Sequence, residues 1–242
     1  MSTLETKKIE PLSGTSVTLG AAGDAVTMPA GVTVKTNTVK DAGGNTLWTS
    51  DGSGTLSSVN SGLSGNMVFI SSQTASSSSS IEFTSGIDST YDEYMFTFVN
   101  IHPATDSAFF TFQVSTNGGS SYGVTITSTN FVATVGEDGS NGRIEYVTAG
   151  DLVQSTSYQP LGLYIGSASD ESYSGELHIF APSDTTYVKQ FTSTGNLCSS
   201  SVYTRNPYVA GYVNSTSAIN AIDFKMSSGN IDDGTIAMYG MA

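Results

Sequence analysis

The 242-residue sequence has a single cysteine, Cys198, so no internal disulfide can form, and no CxxC or paired Cys/His spacing offers a zinc site. No stretch approaches the about eighteen apolar residues of a membrane-spanning helix, and the opening MSTLETKKIEP lacks the apolar run of a secretory signal. Neither membrane insertion nor export by a classical signal is therefore expected. Helical patterning is missing too: nowhere do apolar residues recur at spacings of three and four over three turns. Charge is scarce, at 12% of residues, and basic charge scarcest, with 8 Lys and Arg against 21 Asp and Glu. The resulting formal net charge of −13 disfavours nucleic acid as a partner.

Catalytic motifs are equally thin. There is no GxSxG nucleophile elbow, no HExxH, and no glycine-rich phosphate loop, so no cofactor is expected. His102 and His178 are far apart in sequence and carry no metal-ligand spacing. The acidic pairs Glu137 with Asp138, Asp170 with Glu171 and Asp232 with Asp233 sit in turn-like strings, where adjacent side chains point apart and do not straddle a sugar bond. In the string GEDGSNG, Glu137, Asp138 and Asn141 form a weak calcium candidate without the EF-hand pattern. Otherwise no metal site is expected.

The chain does have β-type patterning, at two densities. Residues 1–65 read as an N-terminal anchor and thin β-stalk: short runs containing Val17 and Leu19, Val26 and Met28, then Val32 and Val34, punctuated by glycine turns. Each run supplies only two large apolar groups, too few for a separate monomeric core, so partner copies are expected to supply the missing faces. Trp48, the only tryptophan, is expected either to pack within that shared stalk or to anchor an interface.

Residues 66–242 are denser and read as one β-sandwich head, jelly-roll-like, built from ten or so short strands. YDEYMFTFVNI (91–101) and AFFTFQVST (108–116) carry large groups on both faces. Asn117-Gly118-Gly119 is expected to turn a hairpin into Tyr122–Thr127. In Ile219–Met226, Ile222, Phe224 and Met226 alternate with Asp223 and Lys225. Tyr173, Tyr203, Arg205 and Tyr208, the last opening an expected strand over 208–213, sit near candidate loops and are candidate receptor contacts.

Charge divides along the same boundary. Residues 1–40 hold four basic and three acidic groups (4 − 3 = +1), and the remainder four basic and eighteen acidic (4 − 18 = −14). Lys7, Lys8 and Ile9 are accordingly read as a docking peptide, and the acidic head as the opposite end.

The glycine-punctuated stalk resembles the slender β segments of bacteriophage tail fibres, in which three chains wrap one axis. The strings SGTSVTLGAAGDAVTMPAG (13–31), STYDEYMFTFVNIHPATDS (89–107), STNGGSSYGV (115–124) and KMSSGNIDDGTIAMYGMA (225–242) are similar to structural proteins of marine tailed phages. There a terminal strand pair with a Phe followed by a GxIxxGxIxLYG-like string closes a sandwich. The corresponding residues are Phe224, Gly229, Ile231, Gly234, Ile236, Met238, Tyr239 and Gly240, with Met238 where Leu is usual. The resemblance implies a non-enzymatic homotrimeric virion fibre on the outer surface of tail or capsid. Its residues 1–40 would meet other virion proteins and its head a glycan or protein of the host surface. A capsid decoration or head fibre, a tail-linking protein, and a polysaccharide depolymerase are the alternatives.

Overall fold

The computed structural model describes residues 36–53, 56–59 and 67–241. They fall into two compact units divided between Val59 and Asn60, where the sequence reading placed the boundary at 65/66. Lys7, Lys8, Ile9, Val17, Leu19, Val26, Met28, Val32 and Val34 lie outside the described residues.

In the first unit, β1 (Thr38–Lys40), β2 (Thr46–Ser50) and β3 (Leu56–Val59) form an antiparallel sheet in that order. The β1–β2 turn is fixed by Asp41, whose carboxylate accepts the Asn45 backbone and side-chain N–H groups at 2.8 and 3.0 Å. Gly44 supplies the positive φ the turn requires. Trp48 stands between Val39 and Val59 in the register and is half-buried. No described residue of this unit whose side chain is placed reaches full burial. A small sheet without an interior of its own gains little from the hydrophobic effect.

The second unit is an all-β antiparallel sandwich. Its strands are β4 (Met67–Thr74), β5 (Ile81–Phe83), β6 (Glu93–Pro103), β7 (Ala108–Ser115), β8 (Ile126–Gly136), β9 (Arg143–Tyr146), β10 (Gln159–Ile165), β11 (Tyr173–Phe180), β12 (Lys189–Ser199), β13 (Tyr203–Val213), β14 (Ala221–Met226) and β15 (Ile231–Met241). One layer runs β4-β15-β6-β11-β12-β13-β8-β9, the other β5-β14-β7-β10. The layers join at one corner, where Ile165 of β10 meets Ser199 of β12. At the other corner the Gln73 side chain of β4 donates to the Glu82 carbonyl of β5.

Between the layers lies a core of rings. Phe224 packs against Phe96, Phe98 and Phe110 at centroid separations of 5.4, 5.3 and 5.9 Å, and against Phe83 and Phe112 at 6.3 and 6.5 Å. These rings come from β5, β6, β7 and β14, so both layers are pinned through one side chain. All are buried. Aromatic pairs in edge-to-face or offset-stacked geometry add about 0.5–1.5 kcal/mol each beyond area burial.

Three sequence expectations change. Tyr122–Thr127 does not form a hairpin with β7: β7 pairs with β10 and β14, while β8 begins at Ile126 and pairs with β13 and β9. Gly118 and Gly119 turn the chain, but into a loop. Ile101, which strict alternation places opposite Phe98, is fully buried, because Asn100 takes a positive φ and the β6–β11 register shifts there. The terminal strands β14 and β15 do not pair with each other; each belongs to a different layer.

Truncation of the shared ring tests this core. Phe224→Ala should lower unfolding stability by about 3–5 kcal/mol in urea titration, as ring deletions from close-packed interiors do. A loss under about 1 kcal/mol would show that the layers do not depend on it.

Candidate functional site

The two outer faces of the sandwich differ. The smaller layer turns Gln113 and Asp223 outward, and two loop segments cover them. Gln113 donates to the carbonyls of Thr156 and Ser157 at 3.2 and 2.9 Å, and the Tyr158 hydroxyl donates to Asp223 at 2.6 Å. The Tyr122 hydroxyl donates to Glu82 at 3.2 Å, and Lys225 Nζ lies 3.7 Å from the Tyr158 ring centroid. Asp223 is only 3% exposed and is register partner to Glu82. Burial pushes its carboxyl above the ordinary Asp value; the Tyr158 hydrogen bond opposes this, the Glu82 charge adds to it, and Lys225 and Ser80 oppose it again.

Two facing carboxylates are a feature of acid–base sites, and sequence reasoning missed this pair because Glu82 and Asp223 are distant in the chain. Here each carboxylate holds one covering loop: Asp223 accepts from Tyr158 of the 152–158 segment, and Glu82 from Tyr122. On the other layer His178 sits between Glu93 and Glu176. Among the described residues no group of three or more His, Cys, Asp or Glu is arranged to hold a metal ion.

The open surface is the outer face of β9, β8, β13 and β12. Alternation sends Ile126, Asn130, Val132 and Thr134 of β8 inward and Thr129, Phe131, Ala133 and Val135 outward. Register aligns these with partners in rows: Tyr146, Phe131, Tyr208 and Thr194 form one, and Ile144, Ala133 and Asn206 the next. Phe131 and Tyr208 stack at 4.9 Å with planes 6° apart, yet remain 44% and 40% exposed. The outward residues of these four strands include no Asp, Glu, Lys or Arg. The outward side chains of these strands are thus uncharged and rich in aromatics on a chain of net charge −13.

Beside the aromatic row runs an open groove of about 450 Å³, floored by Ala133 and bordered by Val135, Ile144, Asn196, Thr204 and Asn206. Arg143 at its edge is forked onto Glu145, with Nε and a terminal nitrogen 3.0 and 3.2 Å from the two carboxylate oxygens. That hydrogen bond is the main reason the Glu145 carboxyl lies below its ordinary value.

Of the four residues expected as loop receptor contacts, only Tyr208 faces this surface. Tyr173 is fully buried in β11 against Phe98 and Phe110. Its ring is seated on Gly195, where an added Cβ would lie 2.5 Å from the Tyr173 ring. Arg205 lies on the opposite face of β13, because it is an odd number of residues from Tyr208; its guanidinium reaches Glu145 at 3.8 Å and lies 5.3 Å from the Tyr164 ring centroid. Tyr203 stands at the sheet end, beside the 136–140 turn. In that turn Asp138 accepts the Ser140 N–H at 2.8 Å, Asn141 donates to the Ser140 hydroxyl, and Glu137 faces the Cys198 sulfur at 3.7 Å. Of the three calcium candidates, Asp138 and Asn141 thus both meet Ser140, while Glu137 meets Cys198.

The chain matches no family model, no curated protein and no solved structure.

Asp223 gives a test with a definite sign. A carboxyl whose folded value is raised binds its proton more tightly in the native state, so its contribution to stability declines as pH rises from about 4 through that raised value. Asp223→Asn keeps an acceptor for Tyr158 and should raise the melting temperature at pH 7 by about 2–4 °C, for about 1 kcal/mol. The gain should fade as pH falls toward about 4, the ordinary Asp range. An offset independent of pH would contradict the assignment.

Proposed function

We propose that the chain is a non-catalytic structural protein of a bacteriophage virion, a homotrimeric fibre whose residues 1–40 dock on the particle and whose head meets the host surface. The observation that carries this reading is the uncharged outer face of β9, β8, β13 and β12, which exposes a stacked aromatic pair and a groove on an otherwise acidic protein. Copies arranged around one axis would present this face repeatedly, so that weak contacts act together. The first unit supports the same reading, since none of its described residues whose side chain is placed is fully buried, and such a sheet gains stability by sharing faces with other copies.

A second reading, a capsid decoration, head fibre or tail-linking protein without a host ligand, draws on Met67 and Phe69. These are 50% and 58% exposed on β4, the edge strand of the larger layer, with Phe69 against Tyr239. Burial of that patch between neighbouring subunits would serve assembly alone.

Mass measurement of the full chain should give a trimer, and a chain lacking residues 1–40 should keep a folded head but be absent from particles. A monomer independent of concentration, or particles that still incorporate the shortened chain, would overturn the fibre reading.

A further inference from the structure

The polar groups of the groove select among ligands, an inference that rests on the reading of this face as a host contact. Asn196 donates its amide hydrogens within the sheet, to the Thr204 hydroxyl at 2.9 Å and the Arg205 carbonyl at 3.4 Å. Asn206 donates to the Gly195 carbonyl. Asn196 thereby commits both amide hydrogens and Asn206 one of its two to fixing the side chains, and no described residue donates to either Oδ1. Thr204 accepts from Asn196 and keeps its own hydroxyl proton to give. At this end the groove therefore offers two carbonyl acceptors, one hydroxyl donor and the second Asn206 amide hydrogen, none of them charged.

The opposite end is aliphatic. Ile144 is 76% exposed and Val135 39%, flanking the small Ala133. The one charged residue on the border, Arg143, already has its guanidinium on the Glu145 carboxylate. An anionic ligand would meet no free cation here and would approach a chain of net charge −13. A basic ligand would find no carboxylate among the residues that line the groove.

We propose that this groove binds a neutral saccharide ring, its C–H face against Ile144 and Val135 and its vicinal hydroxyls toward Asn196, Asn206 and Thr204. The pairing matches each side of a pyranose to a part of the groove: hydroxyls donate to the two Oδ1 atoms and accept from Thr204. The volume suits one or two sugar units. Pre-fixed amides reduce the ordering cost of binding.

Saturation-transfer NMR on the full chain tests this with the methyl glycosides of glucose, galactose, mannose and N-acetylglucosamine, and with glucuronate as the anionic control. Transfer is expected to the ring protons of at least one neutral glycoside, with glucuronate silent. Ala133→Trp, which fills the floor from an outward position, should abolish it, and the near-isosteric Thr204→Val should weaken it about tenfold. Unchanged melting temperatures would show that both variants are folded. Silence from all four neutral glycosides, transfer that survives Ala133→Trp, or a preference for glucuronate would each overturn the proposal. So would a wild-type chain that binds no sugar and loses oligomer mass on Ile144→Lys, which would assign the face to a second copy. Sugar binding lost while the chain is still found in particles overturns the saccharide alone; sugar binding by a chain absent from particles overturns the virion reading alone.

Discussion

The packing of Phe224 between two sheets is the constraint on which the rest of the head depends. Because its ring lies against residues of β5, β6 and β7 at once, the inner face of each strand is fixed. A sheet has a side-chain period of two, so fixing the inner face also fixes the outer one. Phe131 and Val135 are turned outward because Val132 and Thr134 are turned inward. The outer face is in this sense a by-product of the core. Departures have local causes, as at Asn100, where a left-handed residue moves Ile101 to the inside.

The two outer surfaces show what the same geometry does with and without a cover. On the smaller layer the polar outward residues are sealed by the 152–158 segment through Tyr158 and Gln113, and a carboxylate is taken out of water. Such burial is costly and serves to attach a loop. On the larger layer, from β9 to β12, nothing among the described residues lies over the rows. Aromatic and amide side chains there face solvent, with carboxylates at the two ends of the aromatic row, where Asp151 accepts from Tyr146 and Glu176 from Thr194. A neutral area on an acidic chain is where another molecule can approach without repulsion.

The all-β class, the sandwich and most strand positions are legible from period-two alternation and glycine turns. The alternation in Ile219–Met226 identifies its core half, since Ile222, Phe224 and Met226 are buried. Pairing is beyond the reach of alternation. Asn117-Gly118-Gly119 has hairpin chemistry, but β7 finds its partners far away in sequence, and long-range pairing is decided by total burial. The site is half legible. Tyr208 stands out in the sequence and does face the groove side, but Arg205, grouped with it, is sent by strand parity to the opposite face. Only a strand running through all of 203–213 separates the two. Tyr173 reads as a loop residue because the glycines that seat its ring, Gly162 and Gly195, come from other strands. Phe131, Ala133 and Ile144 carry no signal of their own: each is an ordinary strand residue, and only the register brings them together.

The central claim is that the uncharged face is the one that meets the host. The most direct test is adsorption to host cells by particles carrying Tyr208→Ala together with Ile144→Ser, two exposed positions outside the core. Particles should assemble with the normal amount of this chain and adsorb at least about tenfold more slowly, as loss of a central aromatic contact implies. Normal adsorption by such particles would contradict the claim.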